Sequence, residues 1–318
     1  MSVVLAIITA AVAAYILIYY NGFRCARCKS AEMLQGKTAV VTGANTGIGK
    51  ATAMDLARRR ARVILACRNK EKAEAAAYDI RRETGNTEVL FMHLDLASLK
   101  SVRDFAETFL KTEPRLDLLI NNAGVMAGGK TEDGFGMAFM VNHLGHFLLT
   151  LLLLDRLKAS GQSRIVNVSA KLHCLGSVDF STLSTHKDLV SGESLWHIFM
   201  AYCHSKLCNV LFTRELANRL EGSSVTCYSL HPGVVATELG RYILFWMRLP
   251  MLIISKFFFL TPDSGAQTTL HCALQEGLEP LSGRYFSSCA LCNVSDMARD
   301  DGLAKKLWEV SERMCGLS

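Results

Sequence analysis

The stretch Lys37-Thr38-Ala39-Val40-Val41-Thr42-Gly43-Ala44-Asn45-Thr46-Gly47-Ile48-Gly49-Lys50 decides the fold of this 318-residue chain. Residues 37–41 form a short apolar run that ends in a glycine-rich turn. Glycines at 43, 47 and 49 let the backbone bend sharply and approach a pyrophosphate, whose charge sits at the N-terminus of the following helix. A helical pattern over residues 49–60 comes next, and then a second strand-like run at 62–66. Strand, helix and strand within about thirty residues are the context that gives a glycine triplet its meaning. Alone, the triplet is weak.

The same rhythm continues outward. Strand-like runs at 88–93, 116–120, 164–168 and 225–230 are separated by helix-length segments, and a last short strand is expected at 283–286. Alternating strands and helices of this length predict an α/β fold: a single doubly wound (Rossmann) domain with a parallel sheet covered on both faces. No Pro- or Ser-rich linker divides it and no repeat is visible, so residues 36–318 read as one domain.

Before that domain, residues 3–20 carry no charged side chain, and Tyr15, Tyr19 and Tyr20 gather at the far end. A helix of that length crosses most of a ~30 Å hydrocarbon core. Residues 1–22 are therefore expected to be a transmembrane anchor and 23–35 a basic linker. Arg24, Arg27 and Lys29 follow the apolar run and no charge precedes it, which puts the domain on the cytosolic side of a membrane, expected to be the endoplasmic reticulum. The rival reading, a cleaved signal peptide, would carry a basic start, and this one does not. A second apolar stretch at 242–260 is interrupted by Arg248, Pro250 and Lys256. It suits an interfacial helix pair or an apolar substrate lid (the insert 240–260) better than a second crossing.

The net charge of +6 is too small and too evenly spread to indicate nucleic acid as a partner. Eleven cysteines lie mostly in apolar runs, where a free thiol behaves as a small hydrophobe, so the domain is expected in a reducing compartment. Cys25-x-x-Cys28 and Cys289-x-x-Cys292 pair on paper as a zinc site. They stand at opposite ends of the chain without a supporting His spacing, so free thiols and no metal are expected.

An NAD site usually has an acidic residue after the second strand, to hold the ribose 2′-hydroxyl. Here the strand ends Ala66-Cys67-Arg68, and Lys50 stands just past the last glycine. Two cations suit a 2′-phosphate, so NADP(H) is the expected cofactor.

Further along, Asp95 in HLDLAS, Asn121-Asn122-Ala123-Gly124, Asn142 in VNHLGHF, Tyr202-Cys203-His204-Ser205-Lys206, and His231-Pro232-Gly233 ahead of Thr237 follow the TGANTGIGK turn in order. Over residues 36–290 the chain thus resembles the short-chain dehydrogenase/reductases. The segments at 141–150, 201–207 and 277–286 resemble the retinol dehydrogenases with an N-terminal anchor. Beside the cofactor contacts read from the residues themselves, Gly43, Ala44, Asn45, Thr46, Gly47, Ile48, Gly49, Lys50 and Arg68, the resemblance implies more. It adds Asp95 near the adenine, Asn122, Ala123 and Gly124 at the ribose and pyrophosphate, and Thr237 at the carboxamide. It also implies that Tyr202 exchanges a proton at the alcohol oxygen, that Lys206 holds the nicotinamide ribose, and that Asn142 supports a relaying water. Tyr202 and Lys206, four apart, share one helix face. A neighbouring ammonium is expected to draw the phenol's pKa down from about 10 toward the working range.

One position departs from the family. Where the pattern puts a serine at the end of the fifth strand, this chain has Ala170, with Ser169 one residue early. In a strand that offset turns the side chain to the opposite face. A local bulge bringing Ser169 inward, a substitute donor such as His173, or a slow enzyme are all open. A smaller departure is Arg60, where the family turns on glycine; some loop strain is expected there. Two functions follow. One is an oxidoreductase, weakened by Ala170, that interconverts a lipophilic, retinoid-like alcohol and its aldehyde or ketone. The other is a dinucleotide-binding membrane protein, weak or inactive, acting as sensor or scaffold. No oligomeric state is read from the sequence.

Overall fold

In a computed structural model that describes residues 26–235 and 260–317, all five side chains of the first strand, Thr38–Thr42 (β1), are buried. The alternation of a strand explains how. Ala39 and Val41 enter one apolar cluster with Val63, Leu65, Leu118, Ile120, Val166 and Val168. Val40 enters the other with Ile64, Leu119 and Ile165. Successive side chains point to opposite faces, so a sheet with apolar residues at every position must be covered on both sides.

The order of the eight strands is β3-β2-β1-β4-β5-β6-β7-β8. The others are β2 Arg62–Cys67, β3 Val89–His93, β4 Leu118–Asn121, β5 Ser163–Val168, β6 Val225–His231, β7 Tyr285–Ser287 and β8 Ala290–Leu291. All pairings are parallel except β7 with β8. The doubly wound reading therefore holds, with one correction: the sheet ends in an antiparallel hairpin. Its two-residue loop, Ser288 and Cys289, has φ of 51° and 56°. Such loops favour Asn and Gly, and neither is present to signal it. The expected strain at Arg60 is also there, with φ of 70°.

Helices α1 Gly47–Arg58, α2 Lys70–Thr84 and α3 Leu99–Thr112 follow the first three strands. Helix α4, Met137–Ala159, is long and apolar enough to cross a membrane, yet most of it is buried, as a core helix is. A π-helical turn interrupts it at Met140–Leu144. Beyond β5 come the short α5 Phe180–His186 and the long α6 Leu195–Arg219; α7 Pro262–Leu274 and α8 Asp301–Met314 complete the set. The expected anchor, Thr237, and all of the apolar insert except Leu260 lie outside the described residues. The Cys289 thiol donates to the Ala26 carbonyl at 3.2 Å, and the Cys28 amide to the Gln267 side chain at 3.1 Å. The linker's end thus rests on α7 and on the loop between β7 and β8.

Candidate active site

Sheet order reverses at β1, whose neighbours are β2 and β4. The loops after β1 and β4 face one crevice there, where open α/β sheets bind ligands. In the β1 loop, Gly43 and Gly47 adopt φ of 65° and 57°, in the left-handed region that glycine occupies without cost. A Cβ on Gly49 would lie 2.5 Å from the Asn122 side chain and 2.5 Å from the Gly43 carbonyl. The turn is therefore closed tightly enough to admit only glycine. Thr46, the cap of α1, makes no side-chain capping bond, and the first turn carries no acidic residue. An anion is what that helix end lacks. The buried Cys67 thiol lies beneath the turn; burial pushes its pKa up to about 11, against the backbone amides of Ala44, Asn45 and Gly43.

The loop after β4 is fastened to the turn through Thr42. Its hydroxyl accepts the Asn122 amide at 2.9 Å and the Ala123 amide at 3.0 Å, while the Asn122 side chain donates to the Thr42 carbonyl at 2.9 Å. A Cβ on Gly124 would stand 3.2 Å from the Lys206 nitrogen and 3.5 Å from the Asn142 side-chain oxygen. Gly124 therefore brings the loop after β4 against the predicted catalytic groups. Asp95 accepts the Ala97 amide at 2.9 Å, a turn that fixes the carboxylate at the end of β3.

The two cations grouped by the sequence separate. Lys50 is paired with Asp79 of α2 at 2.7 Å, which holds that carboxyl below its ordinary pKa. Arg68, past the end of β2, is exposed and makes no hydrogen bond or ion pair among the described residues.

Tyr202 and Lys206 are both buried, at 7% and 3% exposure, on the same face of α6. The Lys206 nitrogen lies 5.5 Å from the Tyr202 ring centroid and donates to the Val168 carbonyl at 3.0 Å. Burial lowers the lysine's pKa to about 8. Burial also raises the Tyr202 phenol, with a smaller push from Cys203. The expected drop of the phenol's pKa under the neighbouring charge is thus corrected: desolvation of the phenolate outweighs an ammonium aimed elsewhere.

Asn142 lies in the π turn of α4, fully buried. Its side chain accepts the Val125 amide at 2.8 Å and donates to the Val125 carbonyl at 2.9 Å and to Ser205 Oγ at 2.8 Å. Ser205 in turn donates to the Tyr202 carbonyl at 2.8 Å.

At the end of β5 the strand ladder runs on without an extra residue, since the Ser169 amide donates to the Leu230 carbonyl at 2.7 Å. The Ser169 hydroxyl donates to the Lys206 carbonyl at 2.7 Å. His173 is fully buried, and its Nδ1 donates to the Ala170 carbonyl at 2.8 Å. No bulge brings Ser169 inward, and both side chains already have acceptors of their own. Val125, Thr42, His146 and Ser205 were not singled out from the sequence. Thr42, His146 and Ser205 stand inside quoted motifs, but only tertiary contacts reveal their part.

The family model for short chain dehydrogenase matches residues 37–247. Dehydrogenase/reductase SDR family member 13 from Homo sapiens is 53% identical over 305 residues, covering 96% of this chain and 80% of that protein. Retinol dehydrogenase 11 from Homo sapiens is 55% identical over 292 residues, covering 91% of this chain and 89% of that one. Among solved structures, an uncharacterised protein from Mycobacterium paratuberculosis is similar, with TM-score 0.72 and 34% identity, covering 90% of this chain and 95% of its own. The fastened glycine turn, the Tyr-x-x-x-Lys face of α6 and these matches agree: the chain belongs to the short-chain dehydrogenase family.

Proposed function

We propose that the chain is an NADP(H)-dependent oxidoreductase that interconverts a lipophilic, retinoid-like alcohol and its aldehyde or ketone at a membrane surface. The observation that carries it is the buried Tyr202–Lys206 pair on one face of α6, with the Lys206 nitrogen 3.2 Å from where a Cβ on Gly124, in the loop fastened to the glycine turn, would stand. Relatives named retinol dehydrogenase at more than half identity support the substrate class. The uncharged run at 3–20 supports attachment to a membrane, facing the cytosol.

The residues present fit a dinucleotide. The turn from Gly43 to Gly49 is closed where a Cβ would fill it, and the N-terminus of α1 is uncapped by any side chain. Gly43 to Lys50, with Asn122, Ala123 and Gly124, would hold the pyrophosphate and ribose; Arg68 would meet a 2′-phosphate and Asp95 the adenine. A bound nicotinamide supplies or accepts the hydride. The chain's own residues handle the proton. Tyr202, kept neutral by burial, donates its phenolic proton to the carbonyl oxygen as charge develops there in reduction, and takes it back in oxidation. Lys206 brings a desolvated positive charge close to that phenol, and Asn142 fixes the joint between them and the nucleotide loop. With Ala170 in place of a hydroxyl donor, the developing oxyanion has one hydrogen bond fewer, and the rate is lowered by about 10²–10³.

Full-length protein in detergent, given NADPH or NADH and a panel of apolar and polar aldehydes, tests this. Cofactor oxidation with NADPH and retinal, above that with NADH or with short polar aldehydes, is expected. NADPH binding with no turnover of any carbonyl would favour the sensor or scaffold reading, which the missing donor at Ala170 motivates.

A further inference from the structure

His146 sits one turn beyond Asn142 on α4, at 2% exposure, and touches both halves of the site. Its Nδ1 lies 3.2 Å from the Asn142 main-chain carbonyl, which can only accept, so Nδ1 carries the proton. Nε2 then holds a lone pair. It lies 2.8 Å from the Thr42 hydroxyl, whose only other acceptor, the Ile120 carbonyl, is at 3.4 Å. The hydroxyl proton therefore points to His146, leaving the oxygen's lone pairs for the Asn122 and Ala123 amides. Burial, reinforced by the Lys206 charge, takes the imidazole's pKa down to about 3, so it stays neutral and this tautomer persists. The other histidine of the motif, His143, differs. It bonds to Ser311 at 2.9 Å and packs between Phe139, Phe147 and Phe212, away from this path.

We propose that His146 is a positioning residue that couples the dinucleotide loop to the catalytic helix, through Thr42 on one side and Asn142 on the other. The path runs from the Asn122 and Ala123 amides to Thr42, His146 and Asn142, then through Ser205 to the Tyr202 carbonyl. Each end has its own consequence. The Nε2 bond orients the hydroxyl that shapes the nucleotide loop, and so sets cofactor affinity. The Nδ1 bond anchors the carbonyl of the π turn that presents Asn142, and so sets the chemical step. The proposal rests on the functional reading above and adds a residue that touches neither cofactor nor substrate.

Two near-isosteric changes separate the ends. His146→Asn keeps a donor near Nδ1 and loses the acceptor for Thr42; His146→Gln keeps an acceptor near Nε2 and loses the donor to Asn142. On full-length protein, NADPH affinity is read by its fluorescence and hydride transfer by single turnover at saturating NADPH. His146→Asn is expected to weaken NADPH binding about tenfold with transfer nearly unchanged, and His146→Gln to slow transfer about tenfold with binding nearly unchanged, as loss of one buried hydrogen bond implies. Parallel losses in both readouts, or none, would overturn the coupling. Should either variant fail to fold, Thr42→Val approaches the link from its other end. It should weaken NADPH binding at least tenfold, and adding His146→Asn should then cost little more, whereas additive losses refute the link. Wild-type protein that binds no NADPH would overturn the functional reading itself, a result distinct from parallel losses in a working enzyme.

Discussion

The Lys206 ammonium donates to the main-chain carbonyl of Val168 at 3.0 Å and lies 5.5 Å from the ring of Tyr202, its neighbour one turn back. A buried cation is thereby held ready beside a buried phenol, at a cost to the fold.

That cost can be measured. Lowering the lysine's pKa from 10.5 to about 8 by burial corresponds to a penalty on the order of 3 kcal/mol while the amine stays charged. Below about pH 8 the folded and unfolded chains are both protonated, so the full penalty applies. Between 8 and 10.5 the folded chain releases its proton first, and wild-type stability rises with pH. Lys206→Met should therefore raise the unfolding temperature near neutral pH while abolishing turnover, and its advantage should shrink toward pH 10. A lowered unfolding temperature at neutral pH would contradict this.

The same group gives activity an alkaline limb. If the charge beside Tyr202 assists proton donation, kcat/KM for carbonyl reduction should fall above a pH of about 8, where Lys206 loses its proton. A profile flat to about pH 10 would show that the ammonium is not needed.

Cofactor choice should rest on one cation more than the other. Lys50 is already engaged by Asp79, whereas Arg68 has no partner among the described residues. Arg68→Ala should raise KM for NADPH about tenfold and leave KM for NADH almost unchanged. Lys50→Ala should do less. Equal effects on the two cofactors would remove Arg68 from the 2′-phosphate.

At the end of β5, Ala170 is nearly buried and neither Ser169 nor His173 has a spare donor. Ala170→Ser should raise kcat by roughly ten- to a thousandfold. Comparing steady-state rates at saturating cofactor checks it, and an unchanged rate would mean that another group already serves the oxyanion.

What was legible in the sequence was local. Continuous apolar strands give a sheet covered on both faces, the glycine spacing gives the turn, and a separation of four places Tyr202 over Lys206. Contacts between distant segments were not legible. Asp79 neutralises Lys50 from another helix, and the Ser169 hydroxyl is taken by the Lys206 carbonyl across the core. The Ser288-Cys289 loop turns without the residues that announce such a turn. The sequence also offered Lys206 as a charge acting on Tyr202, but not the depth of burial that pushes both groups toward neutrality.

The most direct test of the catalytic pair is single-turnover reduction of retinal by full-length wild type and Tyr202→Phe, each saturated with NADPH. The expected result is unchanged NADPH affinity and a loss of hydride transfer of at least about a thousandfold in the phenylalanine variant. Transfer at the wild-type rate without the phenol would contradict the role given to Tyr202.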